Sequence, residues 1–369
     1  MTPCYPPGMG GAATYFAILT NYLKNFKQIN SIFILTECVK GKSIFQKKDK
    51  VRILRILLPL SRISLLPASR TGKIKWIFKG LIFILYQLQI FMTLFYLRLF
   101  GKLSVIHVHS YFLSIRKKYR NILLEKFMKA MNVKVILDIR DHLFIPKHDY
   151  FADKIICASE NIFNQAVATK SVNRRKWIHV PIPFKRPDAS AVSNIESVRI
   201  EKYKPYICFI GDIHGNKGIY ELIEAFKSFR KNYKNYCLLF VGRNNEGNKF
   251  LNTVRKSENI IYLGPKSYLD ALKIMKESEL VVLPSKSEGM PRVCLEAISM
   301  GKKVLCPPNI PEFERSCPEW VIPKISSKVI ISKIIEALNS SGSPKYQFEQ
   351  HDPGLISAKV LALYQEVLQ

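Results

Sequence analysis

Short apolar runs rich in β-branched residues recur along the chain at intervals that leave room for a helix between them. SIFILTE (31–37), LSVIHVH (103–109), VKVILDI (133–139) and DKIICAS (153–159) are such runs in the first half. Their apolar positions are continuous rather than alternating, which marks strands covered on both faces, as in a parallel sheet. Between them, segments such as 12–27 and 117–131 carry helix-like spacing. In PIPFKRPDASAVSNIES, which starts at Pro181, the texture shifts to Pro, Ser and Asn, so 186–200 is expected to be a linker. The alternation then restarts. YICFIG (206–211), CLLFVG (237–242), NIIYLG (259–264), LVVLPS (280–285) and KVLCP (303–307) read as strands, and 218–232, 267–278 and 291–301 as helices. The last helix has Pro in its first turn and Gly at its end, the usual asymmetry. This pattern predicts an α/β protein of two Rossmann-like, doubly wound parallel-sheet domains, 1–185 and 201–345. A final segment, 346–369, is expected to hold a helix packing back on the first domain.

Charge changes this picture. The chain carries a formal net charge of +29, and most of the excess lies before residue 185. Such a surface attracts polyanions or anionic headgroups. Residues 80–97, GLIFILYQLQIFMTLFYL, hold no charge and sit between Lys79 and Arg98. Their length reaches the lower bound of a span, but two Gln, a Thr and two Tyr favour a helix packed in the domain or lying at a membrane surface. The opening MTPCYPPGMGG is a turn-rich loop and not a signal peptide. The eight cysteines form no C-x-x-C pair and several lie in apolar runs, so they read as reduced core residues.

The strongest candidate chemistry is SEGMPRVCLEAISMGKKVLCP, from Ser287 to Pro307. A strand ends near Pro284, a loop carries Glu288, and a helix starts near Pro291. Ligands of open α/β sheets bind beyond the carboxyl ends of the strands. The amides of residues 289–294 would sit at a helix N-terminus, where a phosphate is favoured. Glu296, inside that helix, can accept two hydrogen bonds from a ribose diol. Gly8, Gly10 and Gly11 precede a helical stretch and would let backbone approach a substrate. No D-x-D pair, Walker loop or G-x-S-x-G elbow is present.

EGMPRVCLEAISMGKKVLCP resembles the E-x7-E region of glycosyltransferase family 4, retaining enzymes of the GT-B architecture, at Glu288, Gly289, Pro291, Glu296, Ala297 and Gly301. The resemblance implies two Rossmann-like domains facing across a cleft. It gives Glu296 the nucleotide ribose, Glu288 the donor sugar, and Gly289, Met290, Pro291 and Arg292 the diphosphate. By the same resemblance Lys217 reaches the diphosphate, Gly264 and Pro265 meet the nucleobase, and Gly10 and Gly11 form a loop facing the diphosphate. The family usually has Arg where this chain has Asp212, so either Arg292 compensates or donor affinity is lower. His109 and Asp141, with Ser110, Asp138, Arg140 and His142 near them, end strands on the acceptor side. Ser159 and Glu160 are weaker candidates there. The family's first strand is missing ahead of Met1, and its loss from a parallel sheet should be destabilising.

The resemblance therefore implies a nucleotide-diphosphate sugar as co-substrate, UDP-sugar first, with no metal required. The acceptor would be a glycan or a polyprenyl- or lipid-linked hydroxyl in bacterial surface polysaccharide synthesis (capsule, O-antigen or lipopolysaccharide). The expected location is cytoplasmic and peripheral, on the anionic inner face of the membrane, with no nucleic-acid partner. The alternative is a catalytically silent glycosyltransferase-like partner that anchors an active enzyme.

Overall fold

The structure, a computed structural model, describes residues 1–2, 5, 11–37, 42–56, 72–101, 103–109, 126, 128–140, 152–169, 173–193, 195, 197 and 199–369. It divides into two units, Met1–Pro183 with Gln350–Gln369, and Phe184–Glu349. The expected helix 117–131 and the candidates Gly8, Gly10, Ser110, Asp141 and His142 lie wholly or mostly outside the described residues.

The first unit runs α1 (Gly11–Leu23), β1 (Ile32–Glu37), β2 (Phe45–Lys48), β3 (Val51–Ile56), α2 (Gly72–Phe100), β4 (Val105–His109), β5 (Lys134–Ile139), β6 (Lys154–Cys157), α3 (Glu160–Val167) and β7 (Trp177–His179). The second continues with α4 (Ala189–Ser193), β8 (Tyr206–Ile210), α5 (Ile219–Phe229), β9 (Cys237–Val241), α6 (Asn248–Arg255) and β10 (Ile260–Tyr262). It then adds α7 (Tyr268–Glu277), β11 (Leu280–Val282), α8 (Arg292–Ser299), β12 (Val304–Leu305), α9 (Pro311–Ser316) and α10 (Ser327–Asn339). Helix α11 (Pro353–Leu368) returns to the first unit and packs on α1.

In the first unit β4-β5-β6-β7 form a parallel sheet, and β1-β3-β2 form a second sheet in which only β2 is antiparallel. Side chains alternate across the central strands. Ile136 and Ile156 join Phe16, Leu19, Ile356 and Val360 of α1 and α11 in one core. Val135, Leu137, Ile139, Ile155 and Cys157 join Tyr86, Ile90 and Leu94 of α2 in another. Both faces are thus covered, which is why these strands read as unbroken apolar runs. The strand position expected to be empty is occupied at one end. The Thr2 N–H donates to the Leu35 carbonyl at 3.0 Å and the His109 N–H donates to the Met1 carbonyl at 2.9 Å. Met1 nitrogen donates to the His107 carbonyl. Two residues therefore satisfy ladder groups of both β1 and β4.

The second unit holds one parallel sheet, β10-β9-β8-β11-β12. Strand order reverses between β8 and β11, so the loops that follow these two neighbours leave the sheet side by side. Residues 186–200, expected as a linker, belong instead to this unit. Lysines of α7 reach the segment: Lys276 Nζ donates to Ser193 Oγ at 2.6 Å, and Lys273 Nζ donates to the Ile195 carbonyl. The expected boundaries shift accordingly. Phe348 stacks on Phe184, with ring centroids 5.5 Å apart, so 346–349 also stay with the second unit.

Residues 80–97 lie within α2 as a helix. Tyr86, Ile90, Leu94 and Leu97 are buried, whereas Ile84, Leu88, Met92 and Leu99 are exposed. No described helix is long and apolar enough to cross a membrane. The six described free cysteines are buried or half-buried.

Candidate functional site

Beyond the carboxyl end of β8 the chain passes Asp212 and turns through Gly215–Lys217 into α5. Gly218 makes that turn possible. Its φ is +68°, and a Cβ there would lie 1.9 Å from the Pro284 carbonyl oxygen at the end of the neighbouring strand. Only glycine tolerates both the left-handed backbone and the close approach. The two loops are joined further by the Lys286 N–H, which donates to the Asn216 carbonyl at 2.8 Å. Glu246, which no sequence motif singles out, fixes the other side of the turn. Its carboxylate accepts from the Gly215 N–H at 2.7 Å and from Tyr220 Oη at 3.0 Å. Both partners hold the Glu246 carboxyl below its ordinary pKa.

This scaffold brings Lys217 and Glu288 together, 71 residues apart in sequence, with Lys217 Nζ donating to Glu288 Oε1 at 2.5 Å. Their side chains keep 29% and 14% of their surface, so the pair is partly accessible to solvent. Beside it, α8 begins at Arg292, with Pro291 as its N-cap and no side-chain cap. The first-turn amides are therefore not answered by a side chain and favour negative charge. Gly289, Met290 and Pro291 are buried or half-buried, and Arg292 is half-buried.

Glu296 is 8% exposed. Burial raises its pKa, opposed by the Arg292 guanidinium one turn earlier and by Tyr268 Oη, which donates to Glu296 Oε1 at 3.2 Å. Gly264 and Pro265 precede Tyr268 on the same loop. The Gly264 carbonyl accepts from the Gly242 N–H at 3.1 Å, tying this loop to the end of β9, while Pro265 is exposed.

Asp212 does not stand alone as an unmatched negative charge. Arg243, at the end of β9, grips it bidentately at 3.2 and 2.9 Å. Arg243 reaches Asp212 because parallel neighbours place the residues after their carboxyl ends side by side. The Arg292 guanidinium lies instead toward Phe184, 5.7 Å from its ring centroid.

In the first unit, taken by itself, Asp138 at the end of β5 is completely buried. It accepts from His107 Nε2 at 3.0 Å and from Arg140 Nη2 at 2.8 Å. Those partners drive its pKa far below the carboxylate range despite burial. His107 Nε2 therefore carries the proton, and His107 Nδ1 accepts from Tyr364 Oη of α11 at 2.8 Å. The Arg140 guanidinium lies over the Tyr15 ring of α1. A lone acid inside the run VILDI is the readable sign of this network, since a buried carboxylate needs partners. His109 is 8% exposed, and burial pushes its pKa down to about 4. Ser159 has no exposed surface and caps α3 by accepting from the Ile162 N–H at 3.4 Å. Gly11 is exposed at the start of α1. Among the described residues no group of three or more His, Cys, Asp or Glu could hold a metal ion.

Residues 193–349 match the family described as glycosyl transferases group 1. An uncharacterized glycosyltransferase of Methanocaldococcus jannaschii, MJ1178, is 30% identical over 42% of this chain and 40% of its own length. The match thus spans less than half of that relative. A second from the same organism, MJ1069, is 23% identical over 82% of this chain and 79% of its own. Among solved structures, the UDP-forming alpha,alpha-trehalose-phosphate synthase of Burkholderia xenovorans superposes with a TM-score of 0.69 at 11% identity, covering 99% of this chain and 98% of that one. Anabaena HepE in complex with UDP and glucose gives 0.59 at 11% identity, covering 99% and 97%. Residues 193–349 are thus similar to that family, and the chain has a GT-B-like α/β fold with parallel sheets.

Proposed function

We propose that the chain is a retaining glycosyltransferase that moves a sugar, a hexose or hexose derivative, from a nucleotide diphosphate to an acceptor hydroxyl. The observation that carries this reading is the Lys217–Glu288 pair at the strand-order reversal, next to the uncapped start of α8. As the glycosidic bond breaks, charge grows on the diphosphate. Lys217 and the first-turn amides of α8 offset it without reorganising. Glu288, released from Lys217, orients the sugar hydroxyls, and Glu296 accepts from the ribose diol. Charge offset by these groups would not call for a metal. A UDP-sugar is the donor of first choice, supported by the two structural relatives named above, one UDP-forming and one holding UDP.

The acceptor in this reading is a glycan or a polyprenyl- or lipid-linked hydroxyl of a surface polysaccharide, met at the cytoplasmic face of an anionic membrane. The exposed face of α2 supports it, because Ile84, Leu88, Met92 and Leu99 repeat at helical spacing. No Asp or Glu occurs in the sequence between Asp49 and Glu125. The test pairs two measurements. UDP-, GDP- and ADP-sugars are assayed for protection against thermal unfolding and for turnover with lipid-linked acceptors, and flotation is compared on anionic and neutral vesicles. Protection and turnover by a UDP-sugar, with flotation on anionic vesicles alone, is the expected result. Protection without turnover on any acceptor would instead indicate the silent-partner reading, and equal flotation on both vesicles would reject electrostatic docking.

A further inference from the structure

Tyr268 sits in a position that packing does not explain. It is the first residue of α7, and it is 52% exposed. Yet its hydroxyl donates to the carboxylate of Glu296, one of the few buried acids among the described residues. A carboxylate offers about four lone-pair sites. Among the described residues Tyr268 is the one side chain that donates to Glu296, through Oε1 alone. Arg292 acts on it through its charge. Glu296 thus keeps accepting capacity that Tyr268 does not use, open to a further donor. A vicinal diol supplies two such donors.

We propose that Tyr268 is a nucleoside-positioning residue: its hydroxyl holds the Glu296 carboxylate in place for a ribose diol, and its half-exposed ring forms a wall for the nucleoside. This rests on the reading of Glu296 as the ribose acceptor. Tyr268 lies two residues after Lys266 on the loop that carries Gly264 and Pro265, so a nucleoside held by Glu296 and that loop would lie beside the ring. The hydroxyl does a second service. By donating to the carboxylate it favours the ionised form, against the burial that favours the protonated one. The groups acting on Glu296 are Tyr268 from α7 and Arg292 from α8 itself. Removal of the tyrosine hydroxyl leaves Arg292 as the sole opposing influence, so Glu296 would take up a proton at a higher pH.

The test is titration of the full chain with UDP and, separately, with inorganic pyrophosphate at pH 8 and pH 5.5, for the parent, Tyr268→Phe, Tyr268→Ala and Glu296→Ala. Tyr268→Phe is expected to bind UDP within about twofold of the parent at pH 8 and about fivefold more weakly at pH 5.5. Tyr268→Ala, which also loses the ring, is expected to bind UDP about tenfold more weakly at both pH values. Pyrophosphate, which has no ribose, should bind all variants as it binds the parent. If Glu296→Ala loses UDP while both Tyr268 variants match the parent at both pH values, the positioning role is overturned and the ribose assignment stands. Equal losses of UDP and pyrophosphate in the Tyr268 variants also overturn it. Parent-like UDP binding by Glu296→Ala removes the ribose assignment on which the inference rests.

Discussion

At the ends of the strands in the second unit, charged side chains are paired within reach of solvent. Lys217 and Glu288 hold one another while both keep part of their surface, and Asp212 and Arg243 are 43% and 57% exposed. At the ends of β4 and β5 the arrangement is the opposite. Asp138 has no exposed surface and ties together β4, β5 and, through His107, helix α11. The two arrangements differ in what an exchange of partners would cost. A half-exposed pair such as Asp212–Arg243 contributes little to stability, so exchanging its partners costs little. A buried carboxylate that loses its partners becomes an uncompensated charge. In the proposed reading the partly exposed groups meet the ligand, while the fully buried ones hold the sheet and the last helix together.

The contrast is broken most forcefully at Asp138. Asp138→Asn is expected to destabilise the fold by about 3–5 kcal/mol, read by chemical denaturation, because His107 and Arg140 lose the charge they are built around. A loss below about 1 kcal/mol would show that this network is no more structural than the surface pairs.

Acid should probe the same region next. Asp138 has a depressed pKa, so its stabilisation is present above the unfolded carboxylate value near 4 and is lost as pH falls further. His109 is held neutral, with a pKa of about 4 against an unfolded value of about 6.5. Unfolded chains therefore take up this proton first, and stability falls as pH drops from about 6.5 to about 4, by about 2–3 kcal/mol from His109. Thermal midpoints measured across that window should decline, and His109→Asn should flatten part of the decline. A flat profile in the parent would contradict the buried, neutral state of His109.

The smallest effect is expected at Arg243. Arg243→Ala should cost no more than about 1 kcal/mol in denaturation experiments, since both partners are exposed. A larger loss would place this pair with the structural group and blur the distinction.

The strands and the polar cluster of the second unit are legible in the amino-acid sequence. Continuous apolar runs locate the strands, because covered parallel strands need both faces apolar, and Lys217 and Glu288, singled out from the sequence, meet in the fold. Pairings between distant segments are not legible. Nothing in the local sequence at Arg243 says that it will meet Asp212, or at Tyr268 that it will meet Glu296. These contacts follow from strand order, which places loop after loop along one edge of the sheet. The segment 186–200 misleads for a related reason: its Pro, Ser and Asn signal a break in regular structure, yet lysines of α7 satisfy oxygens of the segment and hold it down. At the other end of the chain, the backbone of Met1 and Thr2 supplies ladder bonds that no side-chain pattern could reveal.

The central claim is that Lys217 exchanges Glu288 for a diphosphate. The most direct measurement is calorimetric titration of UDP into the parent, Lys217→Ala and Glu288→Gln. Lys217→Ala should weaken binding at least about tenfold by loss of a charge-assisted contact, while Glu288→Gln, which frees the lysine, should bind UDP as tightly as the parent or more tightly. Parent-like affinity in Lys217→Ala would contradict the account.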